Sequence, residues 1–216
     1  MSPTRPLRRV RIARAAVVIL ALAFAAPHLL HPTPARGLVR PARETGRAAL
    51  WRKLYDAFPQ PWKSRDVVVV REVSDREMDR LVREHGDDNS RDSADDDEVQ
   101  GYFEFTGPRE ETPLIVLRDS LTEPEATFVF SHEYGHYVWE ELLTKRDQDE
   151  YFRIWNSRRR DKRLVSTYAG DSVVEGFAEA FAHYLRRSAQ LHRKDPDSEQ
   201  FLRDWLDDHR PADDKR

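Results

Sequence analysis

Residues 131–136 read Ser-His-Glu-Tyr-Gly-His, and the fold follows from what this stretch asks of its surroundings. On an α-helix His132 and His136 lie one turn apart on a single face, the spacing at which two imidazoles chelate one metal ion. Zinc suits such a pair, because neutral imidazole is a favoured zinc ligand and a catalytic zinc takes three protein ligands and leaves one position to water. Glu133, just around the helix, reaches that water. Gly135 sits inside the same helix, where glycine costs about 1 kcal/mol relative to alanine. That cost makes sense if something must approach the helix backbone closely.

Immediately upstream, Thr122, Pro124 and Glu125 make a helix start, a capping box with proline in the first turn, ahead of the apolar run Phe128, Val129 and Phe130. The metal still needs a third ligand. The chain has no cysteine, which excludes disulfides, a thiol nucleophile and thiolate zinc sites, so the ligand set must be completed by histidine or carboxylate. Downstream, Glu175 and Glu179 stand one turn apart on one helix face, where one can ligate and the other support it. Ala178 and Ala182 share that face and would let this helix come close to the His132 helix, while Phe177, Phe181 and Tyr184 lie opposite. A helix so flanked buries its acids, and two buried carboxylates call for a cation. Glu175 has a competing local use: with Ser172 three residues before it, a capping box would consume the carboxylate, unless Asp171 caps instead. His85, His183, His192 and His209 show no ligand spacing with the motif and read as surface or packing residues.

Further out, Arg43–Phe58 carries a helical apolar pattern stopped by Pro59 and Pro61. Val67–Val73 is a strand of branched residues, and Ser74 caps a helix with Met78, Leu81 and Val82 on its stripe. Residues 86–98 hold seven acids and one arginine and are expected to form a mobile, solvated loop. Val99–Phe105 and Pro113–Leu117 then form a hairpin around Gly107 and Pro108. Helices are expected over Thr144–Arg160, Asp171–Ser188 and Ser198–His209.

The N-terminus has another character. Arg5, Arg8, Arg9, Arg11 and Arg14 precede an uninterrupted apolar run from Ala15 to Ala26, which fits the core of a signal peptide better than a membrane span of about 20 residues. Residues 1–30 therefore read as a signal peptide or an N-terminal membrane anchor. The domain would be exported, either secreted or held at the membrane outside the cytoplasm, with membrane contact through residues 5–30. Residues 31–42 are a Pro/Arg-rich linker and 211–216 a polar tail. A chain of 216 residues accommodates one ordinary domain, placed here at 43–210. Its 36 basic and 39 acidic residues leave a net charge of only -3, which gives no footprint for a nucleic-acid partner.

The stretches HEYGH (132–136) and STYAGDSVVEGFAEAF (166–181) resemble the catalytic domain of anthrax toxin lethal factor and the related secreted Pro-Pro endopeptidases, a gluzincin-type family. The likeness runs from Thr127 to His183. It implies Glu175 as the third zinc ligand and Tyr168 as an auxiliary group that donates its hydroxyl to the oxyanion of the tetrahedral intermediate. It also implies Glu179 as the outer carboxylate that orients a zinc-binding histidine. The large accessory domains of the toxin have no counterpart here, so toxin function and proline specificity do not carry over.

The expected fold is thus α+β, a zincin-like metallopeptidase domain. Its small, mostly antiparallel sheet packs on the His-Glu-x-x-His helix, and a helical subdomain follows at the C-terminus. One zinc ion per chain, a peptide or protein substrate and Glu133 as general base complete the expectation, with Leu114–Leu117 as the sheet edge on which an extended substrate would pair. The rival readings are a catalytically silent zinc-binding interaction module at the cell envelope, against which intact Glu133 and Tyr168 argue, and a structural exported protein that takes up no zinc.

Overall fold

A computed structural model describes residues 39–41, 47–64, 67–85, 99–106 and 112–210. The N-terminal segment expected to be a targeting signal, the acidic segment 86–98, the expected turn residues Gly107 and Pro108 and the tail 211–216 lie outside the described residues. Among the described residues no helix is long and apolar enough to cross a membrane.

The domain is α+β, with most of its described residues in helices. In chain order come β1 (Val39–Pro41), α1 (Ala48–Asp56), β2 (Val68–Val73), α2 (Asp75–His85), β3 (Gly101–Thr106), β4 (Thr112–Arg118), α3 (Glu123–Tyr137), α4 (Lys145–Arg160), α5 (Val173–Arg186), α6 (Ser188–Lys194) and α7 (Pro196–His209). A π-helical turn, Val138–Leu142, ends α3. The start signals act as expected. The Thr122 backbone N–H and hydroxyl both donate to Glu125, and the Glu77 N–H donates to Ser74 Oγ, supplying partners that the first turn of a helix lacks.

The sheet departs from the expected pattern. Its order is β1-β2-β4-β3; β1 and β4 both pair with β2 in parallel, and only β3–β4 is the antiparallel hairpin. The reason lies in the connections: β1 and β2 are joined through α1, a helical crossover that brings the chain back pointing the same way, whereas after α2 the chain enters the outer strand β3 running opposite to β2, and the hairpin then turns β4 back parallel to β2. Leu114–Leu117 is consequently an interior stretch, flanked by β2 and β3, and not the edge. Residues 113–118 are all buried, as befits a strand covered on both faces. Ile115 and Leu117 face the main core with Val68, Val70 and α3, while Leu114 and Val116 face Met78 and Leu81 of α2. The domain also begins earlier than Arg43, since Val39–Pro41 of the supposed linker supplies a strand.

Two arginines aim α3. Arg118, 2% exposed, ties the end of β4 to Asp75 and Asp79 of α2. Arg47 pairs with Glu72 and donates to the carbonyls of Arg118, Asp119 and Leu121 in the turn that feeds the helix. Nearly every residue from Ala126 to Tyr137 is buried, so α3 is a core helix gripped between sheet, α1 and α5.

Candidate metal centre

The chemistry-bearing residues converge where α3 crosses α5. His132 Nε2 lies 3.1 Å from Glu175 Oε2, and His136 Nε2 lies 3.6 Å from the same oxygen. One ligand atom from each of these three buried residues falls within 4.8 Å of the others. The crossing is tight because of Gly135: a Cβ there would stand 2.9 Å from Ala178 Cα and 3.3 Å from its Cβ. The close backbone approach that the mid-helix glycine implied is thus made by the alanine on the glutamate face of α5.

The choice between cap and ligand for Glu175 is resolved by its side chain. Ser172, not Asp171, is the N-cap residue of α5 and accepts the Glu175 N–H at 3.1 Å. The Glu175 carboxylate does not return the bond and turns inward to the histidines. In α3 and α4 the same Ser/Thr-x-x-acid pattern closes fully, at Thr122–Glu125 and Thr144–Asp147. At Ser74–Glu77 the acid leaves its box for the arginines Arg71 and Arg80, and at Ser172–Glu175 it leaves for buried imidazoles.

Around the three ligands stands a second tier. Glu179 Oε1 is 3.3 Å from His132 Nδ1, an ion-pair contact too oblique for a full hydrogen bond, while the other ring nitrogen, Nε2, faces Glu175. His183, buried at 2% exposed, is the packing residue expected of it: its ring meets Phe128 edge-on, and its Nδ1 lies 2.9 Å from the Glu179 carbonyl. Tyr168, on a short 3-10 turn (Tyr168–Gly170), lies with its ring 5.7 Å from that of His132, beside the Glu175 carboxylate. The turn is anchored by Trp155 of α4, whose Nε1 donates to the Ala169 carbonyl at 2.8 Å. Gly176 leaves room for that indole, since a Cβ there would be 2.4 Å from Trp155 Cδ1. Trp155 falls within the helix expected over Thr144–Arg160, and its anchoring role has no local signal in the sequence.

The electrostatics follow from burial. Desolvation disfavours charge on His132, yet the Glu175 and Glu179 carboxylates outweigh it and raise this imidazole well above its ordinary value. His136 has less compensation, and burial pushes it down to about 4. Burial also works against the Glu175 carboxylate, but His132, His136 and the Tyr168 hydroxyl hold it in the charged form. Glu133 is pushed up to about 8 by burial, with His132 opposing and Glu175 adding to the rise. No lysine or arginine among the described residues pairs with Glu133, Glu175 or Glu179; the ion-pair partners of Glu175 and Glu179 are histidines. Three buried acids around two imidazoles form a donor set that fits a divalent cation.

Residues 81–167 match the family model described as Peptidase_M78, IrrE N-terminal-like domain. The match makes this region similar to a zincin-like, metallopeptidase-type domain, and it contains His132, Glu133 and His136. It spans less than half of the chain and stops one residue short of Tyr168. Glu175 and Glu179 therefore join the zincin-like site through geometry alone. The finer likeness to lethal factor is not part of this match. No curated protein matches the chain.

Proposed function

We propose that the protein is a zinc-dependent endopeptidase of the cell exterior. The observation that carries this reading is the buried convergence of His132, His136 and Glu175, with Glu133 one residue along the same helix. The match to a peptidase family model over residues 81–167 supports it.

His132, His136 and Glu175 would hold one zinc ion, which when bound supplies a Lewis acid to polarise the scissile carbonyl. Glu133 takes a proton from the attacking water and passes it to the leaving amine. Burial keeps its carboxyl near neutrality, where a group can both accept and return a proton, and a neighbouring cation draws it toward the charged form. Tyr168 is held protonated by burial and by the Glu175 carboxylate, so it serves as a donor to the developing oxyanion. Glu179 keeps His132 in its ligating orientation. Among the described residues no strand covers the outer side of β3, which runs beside α3, with Gly101 packed against Val129. An extended peptide adding to that edge would lie along the active helix. The five arginines followed by an apolar run at the N-terminus support export.

Glu133→Gln keeps the shape of the site and removes its base. The variant should bind zinc as the wild type does and cleave peptides at least a thousandfold more slowly, on the order expected for losing general-base catalysis. A Glu133→Gln protein that cleaves at the wild-type rate excludes the mechanism.

A further inference from the structure

Two aromatic side chains of α4 reach across to the elements that carry Glu175 and Tyr168. Tyr151 and Trp155 stand one turn apart on one face of that helix. The Tyr151 hydroxyl donates to the Gly176 carbonyl at 2.9 Å, within α5. Trp155 Nε1 donates at 2.8 Å to the carbonyl of Ala169, the residue after Tyr168. Gly176 makes this second contact possible. A Cβ there would stand 2.4 Å from Trp155 Cδ1, 2.6 Å from its Nε1 and 2.9 Å from the Ala169 oxygen. Helices α4 and α5 and the Tyr168 turn therefore meet at one point, one residue beyond Glu175.

The hydrogen bonds that shape the turn are local. The Ala169 N–H donates to Ser166 Oγ, the Gly170 N–H to the Thr167 carbonyl and the Asp171 N–H to the Tyr168 carbonyl, each at 3.0 Å. Bonds within six residues set the form of a turn but not where it sits against a neighbouring helix. The indole supplies that tie. The Tyr168 side chain is seated against Phe128 of α3 and Ala182 of α5, with its ring 5.7 Å from that of His132. A shift of the turn along α5 would carry it off this seat.

We propose that Trp155 is a positioning residue for the reaction, holding the Ala169 carbonyl so that Tyr168 stays beside His132 and Glu175. This rests on the reading of Tyr168 as donor to the oxyanion. The metal ligands are placed by a different contact, the crossing of α3 and α5 at Gly135 and Ala178. Loss of the indole N–H should therefore appear in kcat and not in zinc binding. A misplacement of about 1 Å can cost on the order of a hundredfold in rate.

The test uses the full chain as wild type, Trp155→Phe, Tyr168→Phe, the Trp155→Phe/Tyr168→Phe pair and Tyr151→Phe. It measures amide hydrogen exchange of the metal-free protein, zinc affinity by chelator competition, and kcat and KM on a peptide that the wild type cleaves. Trp155→Phe should speed exchange at Gly170 and Asp171 by about tenfold, the scale of one lost buried hydrogen bond. Tyr151→Phe, which loses a buried hydroxyl one turn away, should not. Trp155→Phe should lower kcat about tenfold or more with KM and zinc affinity unchanged. Tyr168→Phe should lower it about a hundredfold or more, and adding Trp155→Phe should then cost no more than about a further twofold. A general packing defect would instead add its full cost in the pair. If Trp155→Phe does not fold, Gly176→Ala, which drives a methyl group between indole and carbonyl, takes its place in the same comparison. Unchanged exchange or kcat in Trp155→Phe, equal exchange in Tyr151→Phe, a fall in zinc affinity, or full additivity in the pair overturns the inference and leaves Tyr168 as the donor. A wild type that cleaves no peptide, or a Tyr168→Phe protein that cleaves at the wild-type rate, overturns the reading of Tyr168 and this inference together.

Discussion

His132 is the residue on which the charge balance of the site turns. Fully buried, it sits between Glu175 at 3.1 Å and Glu179 at 3.3 Å, and its raised value, about 10, means that the metal-free chain keeps a proton there at neutral pH. A zinc ion must expel that proton to use the imidazole. Because the proton is held throughout the range from pH 6 to 8, zinc affinity should rise with pH by at least about tenfold per unit across it. Glu133, pushed up to about 8, adds to the slope when a cation drives off its proton as well. Titrations of zinc against a competing chelator at several pH values check this, and a flat dependence would show that His132 is not paired as described. His132, Glu133 and His136 were legible from the sequence because their relation is local, fixed by four residues of helix. The fate of Glu175 was not, because Ser172–Glu175 and Thr122–Glu125 are the same pattern on paper; what separates them is a pair of imidazoles 43 and 39 residues upstream in the chain.

At the scale of elements, the site depends on how closely α3 and α5 cross. Gly135→Ala would gain about 1 kcal/mol of helix propensity but place a methyl group 2.9 Å from Ala178 Cα, a backbone atom that cannot rotate away. Overpacking of that kind costs about 1–3 kcal/mol. The variant should therefore be less stable in urea and should bind zinc more weakly, because the Glu175 helix is pushed off the histidines. A Gly135→Ala protein of wild-type stability and affinity would contradict the crossing. The glycine announced this contact in the sequence, and Ala178 and Ala182 identified the partner face. The sheet was less legible. Alternation and branching located β2, β3 and β4 to within a few residues, but strand order depends on where a crossover returns, which no local pattern records. The unbroken apolar run Leu114–Leu117 was itself the signal of a two-faced interior strand, and it outweighs the expectation of an edge. Val39–Pro41 was hidden by its proline- and arginine-rich neighbours, and α6 by its seven residues.

Across the whole molecule, the proposed metal ligands come from two helices that the unfolded chain does not hold together, so zinc should bind the folded state and not the unfolded one. Such binding stabilises by about 4 kcal/mol when free ligand is a thousandfold above its dissociation constant. The melting temperature should rise on adding zinc and fall on adding a chelator, and a transition unmoved by either would mean that no metal joins α3 to α5. A one-domain zincin-like fold of helices over a small sheet was within reach of the sequence, because length, the His-Glu-x-x-His helix and the alanine-faced glutamate helix all point to it. The most direct measurement pairs the zinc content of the purified full chain with cleavage of an unbiased peptide library, for wild type and Glu133→Gln side by side. One zinc per chain in both proteins, with cleavage in the wild type alone, is the predicted result; zinc in both with cleavage in neither would contradict the peptidase, and zinc in neither would contradict the metal centre itself.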